Sequence, residues 1–239
     1  MKTSQRPSPK KAMDYAAEFD WPGYFAAVAN KGARETLLRA LELFEKEDTA
    51  SKRAGPIVRS AVDIGCGEGR DTRELLSRAG STKWKVLATD GSEEGLRLLA
   101  GSIDHRDLGR VSLRRCAMES MPNVFARGVR VGRSKRASPG VDLVNASFSL
   151  PFCRPSALPG VWRWIDGLIR PGGRFSGQLF GDRDSWAHAR KTTGVSRSRL
   201  DRMFKDFVFE ELREEEKDDR TAMDELKHWH VYHIVARKR

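Results

Sequence analysis

Cysteine is scarce in this chain of 239 residues: Cys66, Cys116 and Cys153 stand far apart and are odd in number. That pattern excludes a disulfide framework and a zinc-ribbon spacing, and it points to a reducing compartment. No apolar run approaches the ~20 residues that a membrane-spanning helix needs. The opening stretch MKTSQRPSPKKAM is basic but lacks the apolar core of a secretory signal. Residues 1–13 are therefore expected to form an exposed basic tail on a cytoplasmic protein that has no membrane partner. No internal repeat is visible.

Acidic residues are missing from three stretches. Residues 1–12, 121–140 and 237–239 carry four, five and three Lys or Arg and no acid. Of 44 basic and 33 acidic residues in all, those twelve account for the net charge of +11, leaving 32 basic against 33 acidic elsewhere. The body of the domain is thus neutral. The excess sits at two ends and in the low-complexity segment ARGVRVGRSKRASPG, read as a basic flexible loop over residues 126–140. Such tracts are usually solvated, although they can also hold polyanions.

Apolar residues make up 39% and charged residues 32% of the chain, the balance of an ordinary globular domain. Residues 14–47 carry a helical pattern, with Leu37, Leu38, Leu41 and Phe44 on one face, so a helical cap over 14–50 is expected. IVRSAVDIG then reads as a β-rich strand. DTRELLSRAG reads as a helix with Asp71 as N-cap, Glu74 three residues on and Gly80 as stop. WKVLATD, RVSLRRCAM, VDLVNASFSL and RPGGRFSGQLF supply further strands, with SEEGLRLLAGSI and PGVWRWIDGLI as helices between them. RSRLDRMFKDF is a last helix, and FVFEELREEEKD with HWHVYHIVARK reads as a long closing hairpin. Strands alternating with helices imply one α/β domain over residues 14–239. Its expected form is a Rossmann-like, seven-stranded, mostly parallel sheet with helices on both faces and a C-terminal antiparallel hairpin.

The run AVDIGCGEGRDTRELL places Gly65, Gly67 and Gly69 between the first strand and the next helix, where backbone can approach a nucleotide-like ligand. The dinucleotide fingerprint would put its third glycine at position 70, which is Arg70. Asp63, two residues before the first glycine, would repel a pyrophosphate yet fix an ammonium group. Asp90, ending the next strand, can accept the hydroxyls of a ribose. An amino acid joined to a ribose without phosphate describes S-adenosylmethionine, and a nicotinamide oxidoreductase is disfavoured by Asp63 and Arg70.

VDIGCGEGRDT resembles the first motif of class I S-adenosylmethionine-dependent methyltransferases, with the acid-x-G-x-G-x-G pattern complete. LATDGSEEGL is similar to their second motif, CAMESMP to their adenine-side segment, VDLVNASFSL to the fourth motif and LIRPGGRF to the turn before the fifth strand. The resemblance runs from about residue 58 to the end. Around QLFGDRDSWA and the N-terminal helical region it extends to small-molecule methyltransferases of the tellurite-resistance type. It implies S-adenosyl-L-methionine as cofactor, held by Asp63, Gly65, Cys66, Gly67, Gly69, Asp90, Gly91, Met118, Glu119 and Asn145. Ala117 and Asn145 stand where this family often carries an acid.

Methyl transfer from a sulfonium is an in-line displacement that requires no particular catalytic side chain, so no catalytic residue is assigned. Trp21, Phe148, Asp182 and Trp186 are the expected acceptor contacts, with Arg183, Asp184 and His188 in the loop after the fifth strand. Trp21, Tyr24 and Phe25 are read either as a cover over the methionine end of the cofactor or as the core side of the first helix. His228 and His230 alternate on one strand face. Without a third ligand nearby they are read as a solvated face, so no metal is expected. Cys153 is read as a small buried residue. The expected reaction is methyl transfer to a small-molecule acceptor. The alternatives are an RNA or DNA acceptor gripped by the basic loop, or a cofactor-binding module without turnover. Against a nucleobase acceptor, Asn145-Ala146-Ser147-Phe148 lacks the prolines that usually mark amino-group methylation of bases.

Overall fold

The computed structural model describes residues 18–51, 55–78, 82–132, 140–189 and 192–239. The tail at 1–13 and positions 133–139 of the basic loop lie outside these residues. Among the described residues two helices fill the N-terminal region, α1 (Trp21–Val28) and α2 (Glu35–Ala50). The continuous helical pattern expected from residue 14 is broken twice. Pro22 has no N–H to extend a preceding turn, so α1 begins beside it with Asp20 as N-cap, accepting from Gly23 N at 2.9 Å. Residues 31–34 then leave helical geometry before α2.

Five parallel strands form the centre: β1 (Ile57–Ile64), β2 (Thr82–Asp90), β3 (Val111–Arg115), β4 (Val141–Ala146) and β5 (Ile169–Gly181). A two-residue β6 (Gly194–Val195) adds to the end of β5 and was not legible in the sequence. The hairpin of β7 (Phe207–Arg220) and β8 (Leu226–Lys238) closes the sheet, β8 running antiparallel to β5. The order is β3-β2-β1-β4-β5-β8-β7, the seven strands expected, with the short β6 pairing to β5 off this path as an eighth. Strand order reverses between β1 and β4, and the carboxyl ends of these two strands part there to open a crevice.

Side-chain alternation explains why helices cover both faces. Ala61 of β1 packs with Leu37, Leu41 and Phe44 of α2, with Leu75 of α3 (Arg70–Ser77) and with Leu99 of α4 (Glu93–Ser102). Val62 and Ile64 point the other way. They pack in a cluster with Met121 of the short α5 (Met121–Val124), Trp162 and Ile165 of α6 (Leu158–Leu168) and, past α7 (Ser185–His188), with Leu200 of α8 (Arg197–Met203). Each such fully buried Leu, Ile or Phe contributes about 1.5–3 kcal/mol. Cys153 is buried in the second cluster, as its reading supposed.

At the amino ends of β1 and β4 a charge network ties α2 to the sheet. Arg59 lies over the Phe44 ring and donates to both oxygens of Asp48, with Nε at 2.9 Å, and its third nitrogen reaches Asp142 at 3.0 Å. Asp48 and Asp142 are both buried. Removing one partner of such a set strands a charge in low dielectric. Asp48→Ala is therefore expected to lower unfolding free energy by about 3–5 kcal/mol in a denaturant titration. Glu42→Ala, whose pair with Arg39 is solvent-exposed, is expected to stay within about 0.5 kcal/mol.

Candidate active site

The turn after β1 is built by glycines for two separate reasons. Gly65 (φ +67°) brings backbone against Ser149, where an added Cβ would overlap Ser149 Cβ. Gly69 (φ +90°) is the left-handed N-cap of α3, and a Cβ there would run into Leu99. Gly65 N and Cys66 N both donate to Thr89 O, at 2.8 and 3.0 Å, which locks the turn to the end of β2. Gly67 N donates to Asp90 Oδ2 at 2.8 Å and Ser92 N to Asp90 Oδ1 at 2.7 Å. Asp90 thereby has each oxygen fixed by one N–H, with lone pairs left on both. Its burial pushes its carboxyl up from the ordinary value, while the Ser92, Gly67 and Gly91 N–H groups pull it back.

Asp71, read as an N-cap, is instead a buried acid in the first turn of α3. Its Oδ1 accepts from Arg34 N at 2.9 Å and its Oδ2 from Asn145 Nδ2, also at 2.9 Å. The same Asn145 nitrogen donates to Asp63 Oδ1 at 3.0 Å, and Thr72 Oγ1 donates to Asp63 Oδ2 at 2.6 Å. One neutral amide thus spends its two hydrogens on two carboxylates, while its own oxygen accepts from Ser176 at 2.7 Å. An acid at 145 would be a third negative charge in a dry site, which accounts for asparagine where related motifs carry an acid. Burial, then the charge of Asp71, raises the Asp63 carboxyl to about 7.

A cavity of about 1530 Å³ opens above this turn. A single-ligand pocket occupies roughly 300–1,000 Å³, so there is room for a nucleoside and a second molecule side by side. Asp63, Gly65, Cys66, Gly67, Asp90 and Gly91 line one part, and Met118 and Glu119 also line the cavity. Glu119 Oε1 also accepts from Arg154 N at 3.1 Å. Two expected contacts lie elsewhere. Asn145 is fully buried and bonded to Asp63, and Gly69 faces Leu99.

The other part is aromatic: Trp21, Phe148 and Trp186 line it together with Tyr24 and Phe25. Phe148 is held at φ +53°, an uncommon conformation for an aromatic residue, with its N–H donating to Gln178 Oε1 at 3.2 Å. Asp184 caps α7 by accepting from Trp186 N at 3.0 Å and pairs with buried Lys227. Asp182 does not face the cavity, and this corrects its assignment. It is exposed, 3.8 Å from His230 Nδ1 and 3.9 Å from Arg183 Nη1. Arg183 and His188 are exposed too. Nor is the His228/His230 face uniformly solvated. His230 is buried with Nε2 at 2.9 Å from Glu214, and His228 pairs with Asp218 at 2.8 Å.

Arg34 and Arg70 were missed. Both lie at the cavity wall and reach the Tyr24 hydroxyl, each at a long 3.5 Å. Among the described residues neither has a carboxylate within ion-pair distance. Burial, followed by the charge of Arg70, lowers the Arg34 guanidinium from its ordinary value. The Asp71 charge acts the other way on Arg34, but with no carboxylate in ion-pair contact the two guanidinium groups can receive one. No sequence spacing links positions 24, 34 and 70, so only the fold could reveal them.

Residues 61–173 match a family model described as a methyltransferase domain. No curated protein sequence matches the chain. TehB from Haemophilus influenzae is similar in structure, with a TM-score of 0.57 at 17% identity over 82% of this chain. The chain spans 62% of that protein's length. The 1,6-didemethyltoxoflavin-N1-methyltransferase of Burkholderia thailandensis, solved with 1,6-didemethyltoxoflavin and S-adenosylhomocysteine, gives 0.58 at 18% identity and covers 98% of this chain and 93% of its own. The N-methyltransferase NodS of Bradyrhizobium japonicum, solved with S-adenosylhomocysteine, gives 0.55 at 11% identity, covering 91% and 97%. These likenesses share the fold, and the motif resemblance agrees with the matched domain.

The Asp63 shift has a consequence for stability. A carboxyl raised in the folded state favours folding below its unfolded pKa, and that contribution is lost as pH rises towards about 7. Between about pH 5 and about pH 8 the ligand-free protein is expected to lose stability that Asp63→Asn does not lose, compared by urea midpoints. Identical pH profiles for the two proteins would refute the assignment.

Proposed function

We propose that this chain, which carries a class I methyltransferase domain at residues 61–173, transfers the methyl group of S-adenosylmethionine to a small-molecule acceptor. One observation carries the reading: the crevice between β1 and β4 sets carboxylates, not phosphate-binding groups, on either side of the glycine turn. Asp63 and Asp71 make this region negative, which repels a pyrophosphate and attracts an ammonium. Asp90 retains acceptor capacity for ribose hydroxyls. The arginine pair at Tyr24 fits the carboxylate of an amino-acid moiety, and Met118 offers an apolar contact for adenine. Asp63, Asp90 and the arginine pair thus each have a counterpart in an aminoacyl nucleoside. Two of the solved structures named above contain S-adenosylhomocysteine in the same fold, which supports the choice of nucleoside.

When bound, the cofactor supplies an activated methyl group on sulfur. The chain's part is to hold the donor and acceptor in line and keep water out. The aromatic half of the cavity does the second, with Trp186 fixed by its cap and Phe148 fixed by Gln178. A small acceptor is favoured by the aromatic side chains that line this half, which suit a small apolar body.

Calorimetry tests the assignment. Asp90→Ala is expected to weaken S-adenosylhomocysteine binding at least about tenfold, since hydrogen bonds to a charged group contribute about 1.5–3 kcal/mol each. An ammonium beside Asp63 favours its charged form, so binding somewhat below pH 7 should release a proton and tighten as pH rises through about 7. The binding enthalpy should then vary with the ionisation enthalpy of the buffer for the unsubstituted protein and not for Asp63→Asn. Undiminished binding by Asp90→Ala, or an enthalpy that ignores the buffer, would contradict the placement of the nucleoside.

A further inference from the structure

We infer that the aromatic end of the cavity receives a planar aromatic acceptor bearing an ionisable N–H or O–H, and that a ring nitrogen of His233 takes its proton. The inference rests on the methyltransferase reading above and adds an acceptor class and a base. Phe19, Trp21, Phe148, Phe152, Trp186 and Trp229 all line this end. They meet tilted or edge to face, Trp21 with Phe152 at 5.0 Å, Phe19 with Trp186 at 6.0 Å and Phe148 with Trp229 at 6.3 Å. Rings set this way present both faces and edges to a flat guest. Lys227 beneath them is no competing charge. Its ammonium lies 3.9 Å from the Trp229 centroid and 4.3 Å from that of Phe180, and it is paired with Asp184. It pins the wall from behind.

Among the described residues, two cavity-lining side chains at this end keep buried nitrogens without a hydrogen-bond partner, Arg34 at Nε beside the Phe148 ring and His233 at both ring nitrogens, and of the two only the imidazole can accept a proton. Gln178 faces the cavity with both ends engaged, its Nε2 donating to Thr36 Oγ1 at 3.0 Å and its Oε1 accepting from Phe148 N, and a carboxamide is no base. His233 pairs with Gln178 across the β5–β8 ladder and lines the same space. It is buried, and neither ring nitrogen has a hydrogen-bond partner among the described residues. Glu35 Oε1 stands 3.1 Å from Nδ1 but outside hydrogen-bond geometry, and Glu215 Oε2 is 3.8 Å from Nε2. A buried nitrogen left unpaired is costly unless a ligand completes it.

The surroundings keep this imidazole neutral and ready to accept. Burial, then the charge of Arg213, lower its pKa, with Arg34 acting the same way and Glu35 and Glu215 opposing. These groups come from β7, from the start of α2 and from the residue before it. The ring of Phe148, in the turn after β4, lies 6.2 Å away and carries no charge. In the transfer the acceptor's N–H or O–H bond breaks and its proton goes to the His233 lone pair. The freed electron pair forms the bond to the methyl carbon, and the carbon–sulfur bond breaks with its pair onto sulfur. Glu35 and Glu215 then face the imidazolium, which they stabilise by charge.

The test uses the full chain saturated with S-adenosylhomocysteine and 4-nitrophenol as probe, because its phenolate absorbs apart from the phenol. The unsubstituted protein is expected to bind 4-nitrophenol saturably and to show the phenolate band at a pH where the free probe is protonated, while cyclohexanol does not compete. His233→Gln should keep its S-adenosylhomocysteine affinity and bind the probe with the phenolate band reduced at least about tenfold, and His233→Asn should match it. Phe152→Ala should weaken probe binding roughly two- to tenfold. An undiminished band in His233→Gln, equal competition by cyclohexanol, or no saturable probe binding would overturn the inference. Failure of S-adenosylhomocysteine itself to bind would instead overturn the methyltransferase reading beneath it.

Discussion

Two carboxylates share one amide at the heart of this molecule. Asp63 at the end of β1 and Asp71 at the start of α3 are both buried, and Asn145 of β4 divides its two hydrogens between them. Three elements distant in sequence are thereby fixed at the point where the sheet parts. The arrangement stores electrostatic tension, because burial and mutual repulsion hold the Asp63 carboxyl near 7 in the absence of a cation. A positively charged guest relieves that tension, which makes the negative potential of the crevice both a cost to folding and a source of selectivity.

The rest of the site follows from topology. Parallel strands deliver the glycine turn, Asp90 and the β4 turn to one edge of the sheet, whereas the antiparallel hairpin brings β8 alongside β5. The hairpin gives the cavity a floor that a purely parallel sheet would lack, and Trp229, Val231 and His233 stand on it at alternate positions. Helix α1 closes the space from above with Trp21, Tyr24 and Phe25. Between floor and roof, Phe148 is kept in a left-handed conformation by its bond to Gln178, a local strain of about 1–3 kcal/mol maintained where two halves of the cavity meet.

Much of this was legible in the sequence. The alternation of apolar strands with capped helices gave the layer order, and the acid-x-G-x-G-x-G run located the turn because few other structures require glycine at such spacing. Asp63 and Asp90 were legible for the same reason, being tied by short spacing to strand ends. What could not be read depends on contacts between distant segments. Arg34, Arg70 and Tyr24 meet only after α1 folds over α3, and His233 becomes conspicuous only when its neighbours leave its nitrogens unpaired. Asp182 and Asp184 differ by two positions, yet one is exposed and the other is buried against Lys227, because the turn after β5 separates them. Asn145 lies buried behind the cavity lining, bonded to Asp63 and Asp71, and an asparagine reads alike in sequence whether it lines a cavity or braces a carboxylate.

The central claim is that the crevice is shaped for a cationic aminoacyl nucleoside without phosphate. The most direct measurement is a crystal structure of the protein grown with S-adenosylhomocysteine. The account predicts the ribose hydroxyls on Asp90, the ammonium beside Asp63 and the carboxylate between Arg34 and Arg70. A ligand seated with its ribose away from Asp90 and its ammonium remote from Asp63 would contradict it.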